Sequence, residues 1–164
     1  MQPDKKRFIA GLSEMHPLLA ETIQSGGTFR MITAGTSMLP LLRDRKDTVI
    51  LKKAKFPLNK FDIPLYIRPD GHFVLHRIMK VDNGSDTTVY TMCGDNQLYL
   101  ENNVSEESVI AVVDHIIRNN KLIKMDSFLY KTYVFFWCRC YFIRFCVLKF
   151  RSLCKKVSKK ILKK

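Results

Sequence analysis

Between residues 28 and 120 the chain is cut into short runs of strand character, each stopped by a turn signal. The runs are "TFRMITA" (28–34), "DTVILKK" (47–53), "KFDIPLYIRPDG" (60–71), "HFVLHRIMKV" (72–81), "TTVYTM" (87–92) and "SVIAVVDHIIR" (108–118). The stops are Gly26-Gly27, Pro69-Asp70-Gly71, "NGSD" (83–86), "GDNQ" (94–97) and Asn119-Asn120. Short β-rich runs at this spacing predict a mainly β domain. Ahead of them, Phe8, Leu12, Met15, Leu19 and Ile23 recur at helical spacing, and Pro17 divides the stretch into two short helical pieces.

Charge divides the chain more sharply than apolar content does. Residues 121–164 hold 13 Lys/Arg against one acid, Asp126, a charge of +12, whereas residues 1–120 hold 15 against 14 acids. The expected organisation is a body over 1–120 and a basic, aromatic-rich tail over 121–164. Such a tail points to an anionic surface and says nothing of the body's chemistry. The longest charge-free run in it, 132–138, has seven residues, far short of the 20 or so that cross a bilayer. Arg139 and Arg144 would each cost about 2.5–3.5 kcal/mol near a bilayer centre. An interfacial C-terminal helix with a polybasic end is the expectation; a poor membrane anchor, a soluble core helix and a nucleic-acid arm are the alternatives. The start of the chain is charged and then amphipathic, with no apolar signal-peptide region. Of five cysteines, four lie in the tail, and Cys138-x-Cys140 has no second pair, so reduced thiols are expected.

Three places carry candidate chemistry. Ser37 lies between a glycine and a proline in "GTSMLP", which by itself suits an ordinary turn as well as a nucleophile. A serine nucleophile needs a base, and His16, His72, His76 and His115 are available. His76 shares a strand face with Val74 and Ile78, where a lone histidine is more often a core residue. Asp95, in "CGDNQ", reads equally as a turn-capping carboxylate. No cofactor or metal site is expected, since neither a Gly-rich phosphate loop nor metal-ligand spacing occurs.

Taken in order, these pieces carry more. "GTSMLP", "KFDIPLYIRPDG", "FVLHRIMKV", "TMCGDNQ" and "SVIAVVDHIIRNNK" follow the block order of the type I signal peptidase and LexA-like serine peptidase superfamily. The resemblance covers about residues 20–121 and implies a signal-peptidase/LexA-like β-domain. His76 stands where housekeeping bacterial relatives carry lysine, which resembles the Ser–His branch found in archaea and the endoplasmic reticulum. Lys80, four residues on, is the weaker base, because it must be desolvated to be neutral at pH 7.

The resemblance implies that Ser37 attacks a peptide carbonyl, that His76 shuttles the proton, and that the Ser37 backbone N–H helps to hold the oxyanion. For the acid behind His76, Asp95 matches the family's Gly-Asp block, and Glu101 occupies the position six residues on where the Ser–His branch has a second acid. Two departures stand out: Phe61 replaces a family glycine, and the usual N-terminal anchor is missing. The expectation is a signal or leader peptidase acting on a precursor, attached to a membrane surface through 121–164 on the cytoplasmic side, with the export side left open and nucleic acid not expected as a partner. A catalytically silent peptide-binding relative and a LexA-like self-cleaving regulator are the alternatives; no helix-turn-helix or Ala-Gly cleavage linker supports the last.

Overall fold

The computed structural model describes residues 4–84, 87–140 and 142–151, with side chains from residue 14 onward. The fold is mainly β. Helix α1 (Asp4–Gln24) leads into β1 (Phe29–Ile32), β2 (Thr48–Lys52), β3 (Pro64–Ile67), β4 (Phe73–Leu75), β5 (Arg77–Asn83), β6 (Thr88–Cys93), β7 (Glu101–Ser105), β8 (Val109–Arg118) and β9 (Lys121–Lys124). Helix α2 (Phe128–Tyr133) follows and runs into a π-helical turn, Val134–Arg139. A last helical segment, α3, covers 142–151.

Strand β8 organises the larger sheet. One of its edges pairs antiparallel with β2 over Val112–Ile117. Its other edge serves β3 over Val109–Val112 and then β9 over His115–Arg118. The order β1-β2-β8-β3-β4 leaves β1 and β4 at the two ends of this curled antiparallel sheet. Strands β5, β6 and β7 form a separate three-stranded sheet. The main core joins Leu19 and Ile23 of α1 to Phe29, Val49, Leu51, Leu65 and Ile116 of the larger sheet. A second cluster, Tyr66, Ile78, Tyr90, Met92 and Val112, fills the space between the sheets.

Four expectations change. Helix α1 is continuous through Pro17. That residue is exposed, and it removes one amide from the helical ladder without ending the helix. Leu19 and Ile23 are buried, but Met15 is 44% exposed, beyond the reach of the sheet; the Phe8 and Leu12 side chains lie outside the described residues. The 72–81 run is two strands in two sheets, with His76 at the junction. Both His76 and Arg77 are buried. In one continuous strand adjacent side chains face opposite sides, and the change of sheet lets both go inward. The bulge between Ile78 and Lys80 then breaks the even count from His76. Lys80 is exposed and ion-paired to Asp82 at 2.5 Å.

The fourth change concerns 121–144. A boundary at 120/121 falls in the tight turn between β8 and β9. Ser127 caps α2 by accepting from the Tyr130 amide, and Tyr130 enters the main core. These residues are bound to the body rather than appended to it. The polybasic end, 152–164, lies outside the described residues.

Candidate active site

The loop between β1 and β2 carries Ser37, and it is braced at both ends. Thr33 donates its amide to the Asp47 carbonyl (3.0 Å), and the Gly35 amide donates to Asp44 Oδ1 (2.7 Å). Gly35 has φ +96°, which disfavours any side chain. The Asp47 carboxylate is fully buried between Arg43 (2.8 Å) and Arg118 (2.7 Å), and Arg118 also reaches the Leu41 carbonyl. Burial pushes this carboxyl up, but the two guanidiniums outweigh it and hold its pKa at about 2.

A second loop clamps the serine turn. The Asn96 amide donates to the Ser37 carbonyl at 2.7 Å, and Asn96 Nδ2 donates to the Thr36 carbonyl at 3.0 Å. Gly94 permits the approach: a Cβ there would lie 2.7 Å from the Ser37 carbonyl oxygen. Among the described residues neither the Ser37 hydroxyl nor its backbone N–H has a hydrogen-bond partner.

Ser37 and His76 line one cleft of about 220 Å³. Met31 and Thr33, from the β1 end of the sheet, flank one side, and Phe73, Val74 and Leu75 of β4 the other. His76 is 2% exposed, and its Nδ1 lies 3.0 Å from Glu101 Oε1. That contact places the ring proton on Nδ1 and leaves Nε2 as the lone-pair nitrogen. Burial lowers the His76 pKa below 6.5; Glu101 pulls it back up and Arg68 pushes it down. Burial thus favours the neutral imidazole.

Glu101 is itself held in place. Tyr66 donates to Oε2 at 2.8 Å, Arg68 Nε donates to the same oxygen at 2.7 Å, and the Arg68 terminal nitrogen takes Oε1. Burial raises the Glu101 pKa, but these donors outweigh it and keep it below the ordinary carboxylate value. Tyr66 and Arg68 had no assigned role in the sequence reading. Their spacing of two, with Tyr66 in β3 and Arg68 just past its end, ahead of the Pro-Asp-Gly turn, was the available signal.

Of the two acids, Glu101 contacts His76 and Asp95 does not. Asp95 is fully buried in a bidentate pair with Arg77, at 2.8 and 2.6 Å. It also accepts from the Tyr133 hydroxyl (2.9 Å), and its carbonyl accepts from Trp137 Nε1 (2.9 Å). Arg77 reaches on to the Tyr130 hydroxyl (2.7 Å) and the Phe61 carbonyl (3.0 Å). Asp95 thus positions the loop that holds Ser37. The cause is the junction between β4 and β5: His76 there and Arg77 at the start of β5 are both buried, and only Arg77 bonds Asp95. Phe61 keeps the left-handed backbone that suits glycine, at φ +77°, fixed by its amide to the Ile78 carbonyl (2.8 Å).

Other titratable groups lie elsewhere. His72 pairs with Asp70 on the surface and His115 with Asp114, while the His16 ring packs 5.3 Å from Phe73. Cys93 is buried, which raises its thiol pKa and leaves it a poor nucleophile. Cys93, Cys138, Cys140 and Cys146 are free thiols; Cys154 lies outside the described residues. Among the described residues no group of three or more His, Cys, Asp or Glu side chains could hold a metal ion. No protein-family model matches the chain, and no curated protein matches it.

Proposed function

We propose that this protein is a serine endopeptidase of signal-peptidase type, with Ser37 as nucleophile, His76 as general base and Glu101 as the acid that orients it. The observation that carries the reading is the cleft shared by Ser37 and a buried His76 whose Nδ1 is held by a carboxylate. Ser37 Oγ attacks the scissile carbonyl as its proton passes to His76 Nε2. The Ser37 N–H receives the developing oxyanion. The imidazolium, stabilised by Glu101, then protonates the departing amine, and water reverses the sequence on the acyl-enzyme.

The substrate is an extended peptide. Strands β1 and β4 each pair on one side alone, and both face the cleft, so a peptide can add to a free edge there. A volume of about 220 Å³ is below the ordinary range for small-molecule pockets and suits small side chains beside the cut, as in a signal or leader peptide.

Association with a membrane surface belongs to the same reading. No helix among the described residues is long and apolar enough to cross a membrane. Yet Phe128, Leu129, Phe142 and Phe150 are 71–81% exposed, with exposed Lys131, Arg139, Lys149 and Arg151 among them. Aromatic side chains interleaved with cations suit a headgroup boundary.

The test is cleavage of a peptide library, read by mass spectrometry, with Ser37→Ala and His76→Ala. Both variants should lose cleavage, and a serine-directed fluorophosphonate should label Ser37 in the unaltered chain. Normal cleavage by both variants would overturn the mechanism. Failure of the probe together with peptide binding would favour a silent peptide-binding domain.

A further inference from the structure

A second cavity, of about 370 Å³, opens on the side of the domain formed by α2 and its π-helical turn. Its wall is apolar: Ile63 and Val113 from the sheet face Met125 and Val134 from the C-terminal segment. Its mouth is cationic. Lys60, Lys131 and Arg139 all line it, and all three are exposed. Two of these cations rest on aromatic rings of the same cavity, Lys60 Nζ 5.2 Å from the centroid of Phe61 and Arg139 6.0 Å from that of Phe135. The one acid in the lining, Asp62, is held by its own loop through the Asn59 amide at 2.9 Å.

An occupant must therefore be anionic at one end and apolar at the other. Arg and Lys are the side chains that recognise phosphate, and Ile63, Val113, Met125 and Val134 offer nothing polar. The cavity is close to the lower limit for a small-molecule pocket, enough for a headgroup or the start of an acyl chain. Phe135, about half exposed, joins it to the aromatic face of the C-terminal segment. We propose that this cavity binds the phosphate and upper acyl region of an anionic phospholipid. The proposal rests on the membrane-surface part of the reading above and is independent of the peptidase chemistry.

The test uses the full chain with vesicles of phosphatidylcholine alone or with added phosphatidic acid, read by flotation and by the fluorescence of the single tryptophan, Trp137, two residues from Phe135. The variant is Lys60→Gln with Arg139→Gln. The charge-matched control is Lys53→Gln with Lys55→Gln, two exposed lysines outside the cavity. Phosphatidic acid should tighten binding by the unaltered chain and by the control. The cavity variant should lose about 30-fold in affinity for the anionic vesicles, as expected for two cations near a lipid surface, and keep its binding to neutral ones. Dihexanoyl phosphatidic acid below its micellar concentration should change the Trp137 emission, and inorganic phosphate should not. An equal loss in the control would make the effect one of overall charge and overturn the cavity assignment. So would phosphate binding as tight as that of the short lipid, which would describe a free-anion site. Absence of binding to either vesicle would overturn the membrane reading as well and leave the peptidase reading standing.

Discussion

At the scale of single residues, two acids of similar chain position have opposite fates. Glu101 touches the imidazole, and Asp95 spends both oxygens on Arg77. The Glu101→Gln variant is expected to lose on the order of 10²–10⁴ in kcat, as a base deprived of its orienting carboxylate does. The acid limb of its pH profile should also move lower. The native His76 pKa already lies below 6.5 through burial; removing Glu101 takes away a group that raises it and leaves Arg68, which lowers it. Steady-state kinetics from pH 4 to 8 check both effects. Gly94→Ala should act on the serine instead. The added Cβ would meet the Ser37 carbonyl oxygen at 2.7 Å, a contact that forces the turn to shift. Misplacement of that size costs about 10²-fold, read as a loss of fluorophosphonate labelling with the thermal midpoint little changed. The "GDN" triplet was legible as a block. The division of labour within it was not, since nothing in the order of residues says that Gly94 makes room, Asp95 binds Arg77 and Asn96 grips Ser37.

At the scale of elements, the C-terminal segment is the main revision. Tyr130, Tyr133 and Trp137 close over the Arg77–Asp95 pair, and Arg144 donates to the Gly94 carbonyl at 2.5 Å. A chain cut to 1–120 removes these partners and β9 together, while Arg77 and Asp95 stay in the interior. Its unfolding free energy should fall by at least about 3 kcal/mol, the cost of deleting one large buried aromatic. Urea denaturation of the two chains checks this; equal midpoints would show the body to be independent. Composition hid the arrangement. Basic and aromatic residues at irregular intervals look like an appendage when read along the chain, but the inward-facing members find buried acceptors only after the β6–β7 loop is folded. The strands were more legible, because β-branched runs and turn residues act locally. Strand β7 was missed: "ENNVS" (101–105) has little β-branched content, and it is held by pairing with β6.

At the scale of the whole molecule, the larger sheet and its loops are joined through Asp47. This carboxyl has a pKa near 2 in the folded chain against an ordinary 3.8. A lowered folded value contributes stability that is complete above the unfolded pKa and is lost as pH falls through the folded one. The gap is worth about 2 kcal/mol, lost between roughly pH 4 and 2. Urea midpoints measured over that range should fall, and they should fall less steeply for Asp47→Asn, which has no such proton to take up. What the sequence alone determined is what depends on near neighbours: a mainly β body, helical spacing before it and the charge asymmetry; Ser37, His76, Asp95 and Glu101 stood out as candidates only through the resemblance in block order. Period-two patterns, turn residues and composition are local properties, and local propensity decides them. Only the tertiary structure decided which acid faces His76, that residues 121–144 pack on the body, and where the second cavity lies. Those outcomes depend on which sheet a strand joins and on the register it takes there. Both are chosen by burying Arg77 with Asp95 and His76 with Glu101, pairs separated by 18 and 25 positions in the chain.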